Sequence, residues 1–361
     1  MNSNTLTKHT FALNDFCFEN GRTLKKLEIS YESWGRLNST GDNAILICHA
    51  LTGTAHAASG DRVKRGWWEF LIGPGQPFDT RKYFILCSNV LGGCSGSTGP
   101  ASISPKTGRP YAMDFPVVTV RDMVRAQKRL IDAIGIRRIR AVAGGSLGGM
   151  QALEWAALFP HLVESIIPIA TPGRAYPQSI AFRKAQRKAI MADPSWRGGN
   201  YYGKGFPENG IEIARMIGFI SYRTEREFAE RFCRNFADGE YLNIHGRFEI
   251  EQYLEHHGKK LSKWFDANTY LYLSKAMDLH DLGYGCDSYE SGVRRIRAAA
   301  LIIGFDTDIL FPSYQQKELA DILRGANPKV HFREIKTLYG HDAFLLEKEQ
   351  LRKTITDFLN H

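Results

Sequence analysis

The chain has 361 residues, 43% of them hydrophobic and 24% charged, a balance typical of a globular protein and unlike that of a disordered one. No stretch approaches the roughly 20 apolar residues that span a bilayer, and the N-terminal stretch MNSNTLTKHTFALNDF lacks the pattern of a signal peptide, so we expect a cytoplasmic protein with no membrane partner. The formal net charge is +9. It comes from Lys and Arg spread along the chain, which favours a small phosphorylated ligand at least as much as nucleic acid, and we expect no nucleic-acid partner.

The first third of the chain reads as strands over 27–34, 43–50 and 83–90. A helix over 120–134, a strand over 136–145, a helix over 150–160 and a strand over 163–171 follow. This alternation of strands and helices predicts a mostly parallel sheet covered by helices.

From about 172 to 290 the strand pattern stops, and the sequence becomes helical in period and rich in aromatic residues. The alternation resumes with a strand within 298–312, a helix over 313–324, a strand over 329–335 and a last helix over 347–360. We therefore expect a core formed by residues 1–171 and 296–361, with a helical lid over 172–295 that covers the active edge of the sheet.

Six cysteines are scattered along the chain with no C-x-x-C pair, so neither a disulfide framework nor a metal site is predicted. Cys94 lies in the glycine-rich GGCSGSTG, where a buried thiol is a simpler interpretation than a reactive one. The wider segment GGCSGSTGPAS (92–102) lacks the pattern of a phosphate-binding loop, and Pro100 interrupts the place where its helix would start. We expect this segment to shape the floor of a pocket.

The stretch Gly144-Gly145-Ser146-Leu147-Gly148 matches G-x-S-x-G, between a predicted strand and a predicted helix. In that context the chain turns sharply and presents the serine hydroxyl at the top of the sheet, so Ser146 is a candidate nucleophile. The alternative is an ordinary glycine-rich turn.

A serine nucleophile needs a base and a carboxylate that orients it, in the chain order Ser, acid, His. His341 lies in LYGHDAFL, and two acids, Asp306 and Asp308, follow the predicted strand AAALIIGF. We prefer Asp308, because Asp306 leaves the strand directly and turn chemistry explains it as readily. The N–H groups of Leu147 and of Leu51, in HALTG, are the candidate oxyanion donors.

Several long motifs carry a further resemblance: HALTGTAH, GWWEFLIGPGQPFDTRKYFILCSNVLGGCSGSTGPAS, GGSLGGMQALEWA, IARMIGFISYR, FDANTYLYLSKAMD, DILFP and YGHDAFL. Together they resemble the homoserine O-acyltransferase family of the α/β-hydrolase fold, over about residues 10 to 358. The resemblance implies ping-pong transfer of an acyl group from acetyl-coenzyme A through Ser146 to homoserine, in methionine synthesis. It also implies a homodimer, with acyl-coenzyme A as a co-substrate and no bound cofactor.

The resemblance assigns Arg215, Tyr222 and Asp342 to the amino-acid substrate. An arginine can hold a carboxylate with two donors, and an aspartate can hold an ammonium group. Arg215 and Tyr222 are seven positions apart and so share one helical face.

Two alternatives stay open for the substrates, succinyl-coenzyme A as donor and serine as acceptor. Arg183 stands where many acetyl-transferring relatives have a neutral residue, and an arginine near the acyl pocket would pair with a succinyl carboxylate. The motif Asp308-Ile-Leu-Phe-Pro resembles the acetyl-transferring type instead. An esterase of the same fold is the more distant alternative, because the triad alone does not exclude water as the acceptor.

Overall fold

The computed structural model describes residues 6–60 and 64–360 and contains an eight-stranded sheet with the strand order β1-β2-β4-β3-β5-β6-β9-β10. The six strands from β4 to β10 in this order are parallel to their neighbours, whereas β1 pairs antiparallel with β2 and β2 pairs antiparallel with β4. The strands of this sheet are β1 (Thr7–Cys17), β2 (Thr23–Trp34), β3 (Ala44–Cys48), β4 (Phe84–Ser88), β5 (Ile139–Gly145), β6 (Ser165–Ile169), β9 (Ala299–Phe305) and β10 (Val330–Ile335).

Both faces of the sheet are buried, which explains why the central strands read as continuous apolar runs. In β3, Leu46 packs into one hydrophobic core while its neighbours Ile45 and Ile47 pack into a second core on the opposite face. The helices that flank the sheet are α1 (Val120–Ile134), α2 (Leu147–Leu158), α9 (Ser313–Arg324), α10 (Ala343–Leu346) and α11 (Lys348–Leu359).

The segment between β6 and β9 holds the helices α3 (Pro177–Ala192), α4 (Glu208–Tyr222), α5 (Glu225–Phe232), α6 (Glu249–Ser262), α7 (Ala267–Asp278) and α8 (Tyr289–Val293). Helix α3 packs against α4 and α7, and α4 packs against α6. The predicted outer bounds of the core, residues 1 and 361, lie outside the described residues, as do residues 1–5 of the stretch in which no signal peptide was found. Within the described ranges, no helix is both long and apolar enough to cross a membrane.

The predicted α/β-hydrolase fold, with its mostly parallel sheet, is confirmed. Strand β1 was missed because it is largely exposed and buries only residues such as Leu13 and Phe16, so it has no apolar run to recognise. The middle segment also contains a small antiparallel hairpin, β7 (Phe236–Asp238) and β8 (Arg247–Phe248), where the sequence predicted only helices.

Candidate active site

Ser146 occupies the turn between β5 and α2 with a backbone conformation, φ 56° and ψ −122°, that an L-residue adopts only when its surroundings impose it. Its N–H donates to the carbonyl of Ile169 (3.0 Å), and its carbonyl accepts from the Thr171 hydroxyl (2.8 Å). The end of β6 and the residues just after it therefore hold the turn through both backbone groups of Ser146. The structure thus places Ser146 on a strained strand-to-helix turn, the setting expected of a nucleophile.

The glycines around Ser146 are required by close packing. A Cβ atom on Gly148 would lie 2.0 Å from the carbonyl oxygen of Cys48, and one on Gly145 would lie 2.4 Å from the ring of Phe344. Only glycine allows the start of α2 to lie this close to β3, which brings the serine next to the loops that follow the parallel strands.

His341 and Asp308 form a buried pair. The Nδ1 atom of His341 lies 2.7 Å from Oδ2 of Asp308, and Oδ1 of Asp308 accepts from the backbone N–H groups of Leu310 (2.8 Å) and Phe311 (2.9 Å). The carboxylate is therefore fixed by three donors, which assigns the proton of the neutral imidazole to Nδ1 and leaves Nε2 as the basic atom.

The basic Nε2 atom of His341 is buried and has no hydrogen-bond partner within the described parts of the chain. It shares one cavity with Ser146, yet the Ser146–His341 hydrogen bond is not formed. Catalytic hydrogen bonds are often long in enzymes without substrate and tighten when substrate binds.

Asp306 does not contact His341. Its side chain is exposed and accepts from the backbone N–H of Thr337 (3.0 Å), as expected for a residue that leaves a strand in a turn. Of the two acids weighed from the sequence, the geometry therefore brings Asp308 to the histidine.

Leu147 is the first residue of α2, so its N–H has no partner within the helix and points out of the helix N-terminus. Leu51 lines the cavity from the loop after β3. His49 anchors that loop, because its Nδ1 contacts the carbonyl of Ala50 (2.7 Å) and its Nε2 accepts from the N–H of Val90 (3.1 Å). Burial lowers the pKa of His49 to about 4, so this histidine is neutral and stabilises the loop through its two hydrogen bonds.

Helices of the middle segment form the roof of the cavity over Ser146, which is only 5% exposed. They contribute Arg183 and Gln186 from α3, Arg215 and Tyr222 from α4 and Met277 from α7; the remaining lining residues are Ala50, Leu51, Thr52, Leu310, His341, Asp342, Phe344 and Leu345. No residue of 92–102 lines this cavity; Gly96, Thr98 and Ser102 line a separate cavity beside β2, and the Ser97 hydroxyl accepts from the backbone N–H of Ser30. Cys94 is largely buried, and burial raises the pKa of its thiol to about 11.

Arg215 reaches into the cavity with a guanidinium group that is ion-paired with no carboxylate of the described residues. Its Nη1 lies 3.5 Å from the Thr52 hydroxyl, and its Cζ lies 4.6 Å from the Phe219 ring and 5.9 Å from the Tyr222 ring. The Tyr222 ring is in turn 5.8 Å from that of His341. An anionic group bound by Arg215 would thus lie near His341.

Asp342 lies on the same side of the cavity, and its side chain is 15% exposed. Burial raises the pKa of this carboxyl, while the positive charges of Arg223 and Arg215 oppose the rise. The Nε atom of Arg223 lies 3.1 Å from Oδ2 of Asp342, and Nη1 of Arg223 lies 2.8 Å from Glu227. Sequence reasoning missed Arg223, although it directly follows Tyr222 in a motif already noted.

Arg183 is buried, 3% exposed, and most of its guanidinium is already used. Its Nε donates to Oδ1 of Asp278 (2.6 Å) and its Nη2 to the hydroxyl of Ser179 (3.0 Å), while Arg187 donates to the other oxygen of Asp278 (2.5 Å). The remaining nitrogen, Nη1, has no partner among the described residues. Two cations therefore share one carboxylate beside the cavity.

The comparisons with known proteins agree with this geometry. A family model described as the alpha/beta hydrolase fold matches residues 43–348. The homoserine O-acetyltransferase of Deferribacter desulfuricans is 53% identical over 358 residues, which cover 98% of this chain and 95% of that protein. The crystal structure of homoserine O-acetyltransferase from Bacillus anthracis superposes with a TM-score of 0.93 at 36% identity, over 99% and 98% of the two chains. Esterase E22 superposes with a TM-score of 0.91 at 30% identity, over 98% of this chain and 100% of that one.

The sheet, the strained serine turn and the buried His–Asp pair are those of an α/β-hydrolase-fold enzyme. Within that class, the chain belongs to the homoserine O-acetyltransferase family.

Proposed function

We propose that the chain is a homoserine O-acetyltransferase that moves an acetyl group from acetyl-coenzyme A to the side-chain hydroxyl of homoserine, in the cytoplasm and for methionine synthesis. The observation that carries the proposal is a pair of opposite charges, one on Arg215 and one on Asp342, in the cavity that holds His341. Arg215 and Asp342 line the cavity that contains Ser146 and His341, so one small zwitterion can be held next to the nucleophile.

In the first half-reaction, Ser146 Oγ attacks the thioester carbonyl and its proton passes to Nε2 of His341. Asp308 stabilises the resulting imidazolium, and the N–H groups of Leu51 and Leu147 donate to the oxyanion. The tetrahedral intermediate breaks its C–S bond, and the thiol of coenzyme A leaves with the proton from His341. The acetyl group remains as an ester of Ser146.

In the second half-reaction, Arg215 holds the carboxylate of homoserine, with Tyr222 beside it, and Asp342 holds its ammonium group. His341 takes the proton of the homoserine hydroxyl, whose oxygen attacks the acetyl-serine carbonyl. The C–O bond to Ser146 then breaks, and His341 returns the proton to Ser146 Oγ. The roof of helices excludes water, which would otherwise hydrolyse the ester.

Incubation of the protein with acetyl-coenzyme A or succinyl-coenzyme A, each with homoserine or serine, tests this proposal through the release of free thiol. We expect the fastest release with acetyl-coenzyme A and homoserine, and a mass increase of one acetyl group on Ser146 when the amino acid is left out. Absence of thiol release with every pair would refute the transferase function.

Arg183 supports one second candidate, a succinyl transferase. Its free Nη1 is a buried donor next to an excess positive charge, and a carboxylate at the far end of a succinyl group would satisfy both. If succinyl-coenzyme A is the better donor, Arg183→Lys will reverse the preference, because lysine keeps one charge but not the forked donors. If acetyl-coenzyme A is preferred and Arg183→Lys changes only stability, the ion pair with Asp278 is structural.

Arg215 and Asp342, which hold the amino acid in the proposed transferase, distinguish that function from an esterase function. Arg215→Ala will raise KM for homoserine by about 100-fold, the loss of a charge-assisted pair, and leave hydrolysis of p-nitrophenyl acetate nearly unchanged. Should homoserine fail to accelerate turnover of any acyl donor by the unmodified protein, water is the acceptor and the esterase candidate prevails.

We also propose a homodimer formed through the outer face of α4. Ile213 and Ile220 are 47% and 49% exposed and seven positions apart, so they form one apolar stripe on a helix whose inner face carries Arg215. Light scattering of the protein and of Ile220→Glu checks this: the first should have twice the mass of the chain, and the second the mass of one chain.

A further inference from the structure

The turn that joins α4 to α5 packs directly against the loop after β10, which carries His341 and Asp342. The Thr224 hydroxyl donates to the carbonyl of Leu338 (2.6 Å). A Cβ atom on Gly340 would lie only 2.8 Å from the carbonyl oxygen of Tyr222, and Gly340 has a positive φ of 58°, a conformation that favours glycine. The end of α4 and this loop are therefore held at a fixed spacing, and both contribute side chains to the cavity that contains Ser146.

Arg223 stands in this turn, directly after the last residue of α4. Its side chain is 12% exposed and does not line the cavity that contains Ser146. Its Nε atom lies 3.1 Å from Oδ2 of Asp342 without forming a hydrogen bond, so the contact acts through charge. Because this contact uses no aligned hydrogen bond, both oxygens of the Asp342 carboxylate stay able to accept from a ligand in the cavity.

Arg223 belongs to a row of alternating charges that ends at the cavity. Its Nη1 lies 2.8 Å from Oε1 of Glu227, and Nη1 of Arg231 lies 2.9 Å from the same oxygen. The row thus runs from Arg231, which is partly exposed, through Glu227 and Arg223 to Asp342. Of these four side chains only that of Asp342 lines the cavity, so a cation bound there would pair with Asp342.

Asp342 needs a neighbouring cation to stay ionised. The charged and titratable groups that face it are Arg215, Tyr222 and Arg223 from α4, Glu227 from α5 and His341 beside it in the chain. Burial raises the pKa of the Asp342 carboxyl, and the charge of Arg223 is the largest that opposes this rise, ahead of that of Arg215. A bound amino acid would also neutralise Arg215 with its own carboxylate, and Arg223 is then the cation that remains for Asp342.

We propose that Arg223 is the positioning residue of the amino-acid site: it holds the Asp342 carboxylate in place for the ammonium group of the acceptor, without touching the acceptor itself. This role rests on the proposed function, in which Asp342 binds that ammonium group. Arg215 contacts the acceptor from inside the cavity, whereas Arg223 acts on it from outside the cavity and through Asp342.

The variant Arg223→Gln tests this role, because it removes the charge and keeps a polar side chain. We expect KM for homoserine to rise about tenfold while kcat stays within about twofold, since the acceptor is held less well but reacts as before. The acidic limb of KM should also move up by about one pH unit, because the carboxyl without its neighbouring cation takes up its proton at a higher pH. Thiol release at saturating acetyl-coenzyme A, measured against pH and homoserine concentration, gives both quantities.

Two further variants control for a merely structural role. Arg231→Gln removes the other ion pair of Glu227 without touching Asp342, so KM and its acidic limb should stay as in the unmodified protein. Arg223→Lys keeps a charge but cannot reach both carboxylates at once, so KM should rise only about threefold and the limb should move by less than half a pH unit. The lysine variant carries the test if Arg223→Gln does not fold, and an unchanged KM in it would then overturn the role.

A double-mutant cycle asks whether Arg223 acts through Asp342. In the Asp342→Asn background, Arg223→Gln should raise KM for homoserine by no more than about twofold, because the group that Arg223 positions is already lost. If the two losses multiply instead, Arg223 does not act through Asp342. An Arg223→Gln protein that loses kcat and thermal stability with its acidic limb unmoved would likewise overturn the role.

Calorimetry with L-homoserine and no acyl donor distinguishes failure of this role from failure of the proposed function. The unmodified protein should bind homoserine, and Arg223→Gln about tenfold more weakly. If the unmodified protein acetylates homoserine and Arg223→Gln keeps the same KM and affinity, the transferase function stands and the role of Arg223 is refuted. If no donor releases thiol, yet homoserine binding weakens in Arg223→Gln and not in Arg231→Gln, acetyl transfer is refuted and the role stands.

Discussion

Replacing Asp308 by Asn tests the proposed triad with the smallest change of shape. In the structure Oδ1 of Asp308 accepts two backbone N–H groups, at 2.8 and 2.9 Å, while Oδ2 faces Nδ1 of His341 at 2.7 Å. An asparagine that keeps the first two hydrogen bonds must turn its NH₂ group toward His341. The opposite orientation sets NH₂ against two N–H donors and forfeits two buried hydrogen bonds, at about 1–3 kcal/mol each.

The expected effect follows from the histidine tautomer. An NH₂ group can only donate, so Nδ1 must accept and the ring proton moves to Nε2, which then cannot take the proton of Ser146. To act as a base, His341 must return to the tautomer with its proton on Nδ1, which the NH₂ group of the asparagine disfavours. We therefore expect acetylation of Ser146 to slow by about 10⁴-fold, which corresponds to about 5 kcal/mol of barrier.

Thiol release in a single turnover, with excess enzyme over acetyl-coenzyme A, measures this step directly, and a thermal melt checks that the variant is folded. Asp306→Asn is the matched control, because the Asp306 side chain is exposed and hydrogen-bonds with the N–H of Thr337 rather than with His341. It should retain activity within about twofold, as surface changes away from a site usually do. A folded Asp308→Asn protein that retains more than a hundredth of the activity, or an equal loss in both variants, would refute the reasoning.

Three further outcomes are expected. Gly148→Ala should lower the free energy of unfolding by about 3 kcal/mol or prevent folding, since its Cβ would lie 2.0 Å from a backbone oxygen. Denaturant melts measure this, and they should show little change for Gly325→Ala, where the helical conformation and ordinary contacts admit a methyl group. KM for homoserine should rise on the acidic side at a pH above the ordinary aspartate range, because the pKa of Asp342 is raised and its protonated form cannot hold an ammonium group, and this acidic limb should vanish in Asp342→Asn. At pH 8, mass mapping after alkylation should find exposed Cys17 labelled and Cys94 unlabelled, because burial raises the pKa of the Cys94 thiol to about 11.

The sequence predicted best the helices whose pattern of apolar residues is local and the strands that are buried on both faces. Helices α1 and α9 begin and end where their pattern indicated, and the central strands are recognisable because both faces of the sheet are covered. Strand β1 has no such pattern, since its few buried residues gain their environment only when it pairs with β2. The burial of Leu13 and Phe16 also depends on the core that contains the distant helix α1, and such packing is a tertiary property that a local pattern does not contain.

The same distinction holds within the candidate site. That Ser146, Asp308 and His341 share one site could be inferred because the fold has the chain order Ser, acid, His and the loops after parallel strands meet at one edge of the sheet. The contacts of Arg223 with Asp342 and of Arg183 with Asp278 could not, because they join helices of the roof to each other and to the loop after β10. Nothing in the spacing of these residues indicates which carboxylate each arginine meets.

A protein named esterase E22 shares the fold of this chain at a TM-score of 0.91, so the fold alone does not decide between water and an amino acid as the acceptor. An acetyl-serine ester reacts with whichever hydroxyl lies beside His341. Transfer therefore requires that an amino acid occupy that position before water does. Because water is far more concentrated than any amino acid, the amino acid competes only if the protein binds it beside His341. In this chain Arg215 and Asp342 carry opposite charges and line the same cavity as Ser146 and His341. We therefore propose that the selectivity for transfer lies in Arg215 of the roof and in Asp342, and substitutions there should change the acceptor while acetylation of Ser146 continues.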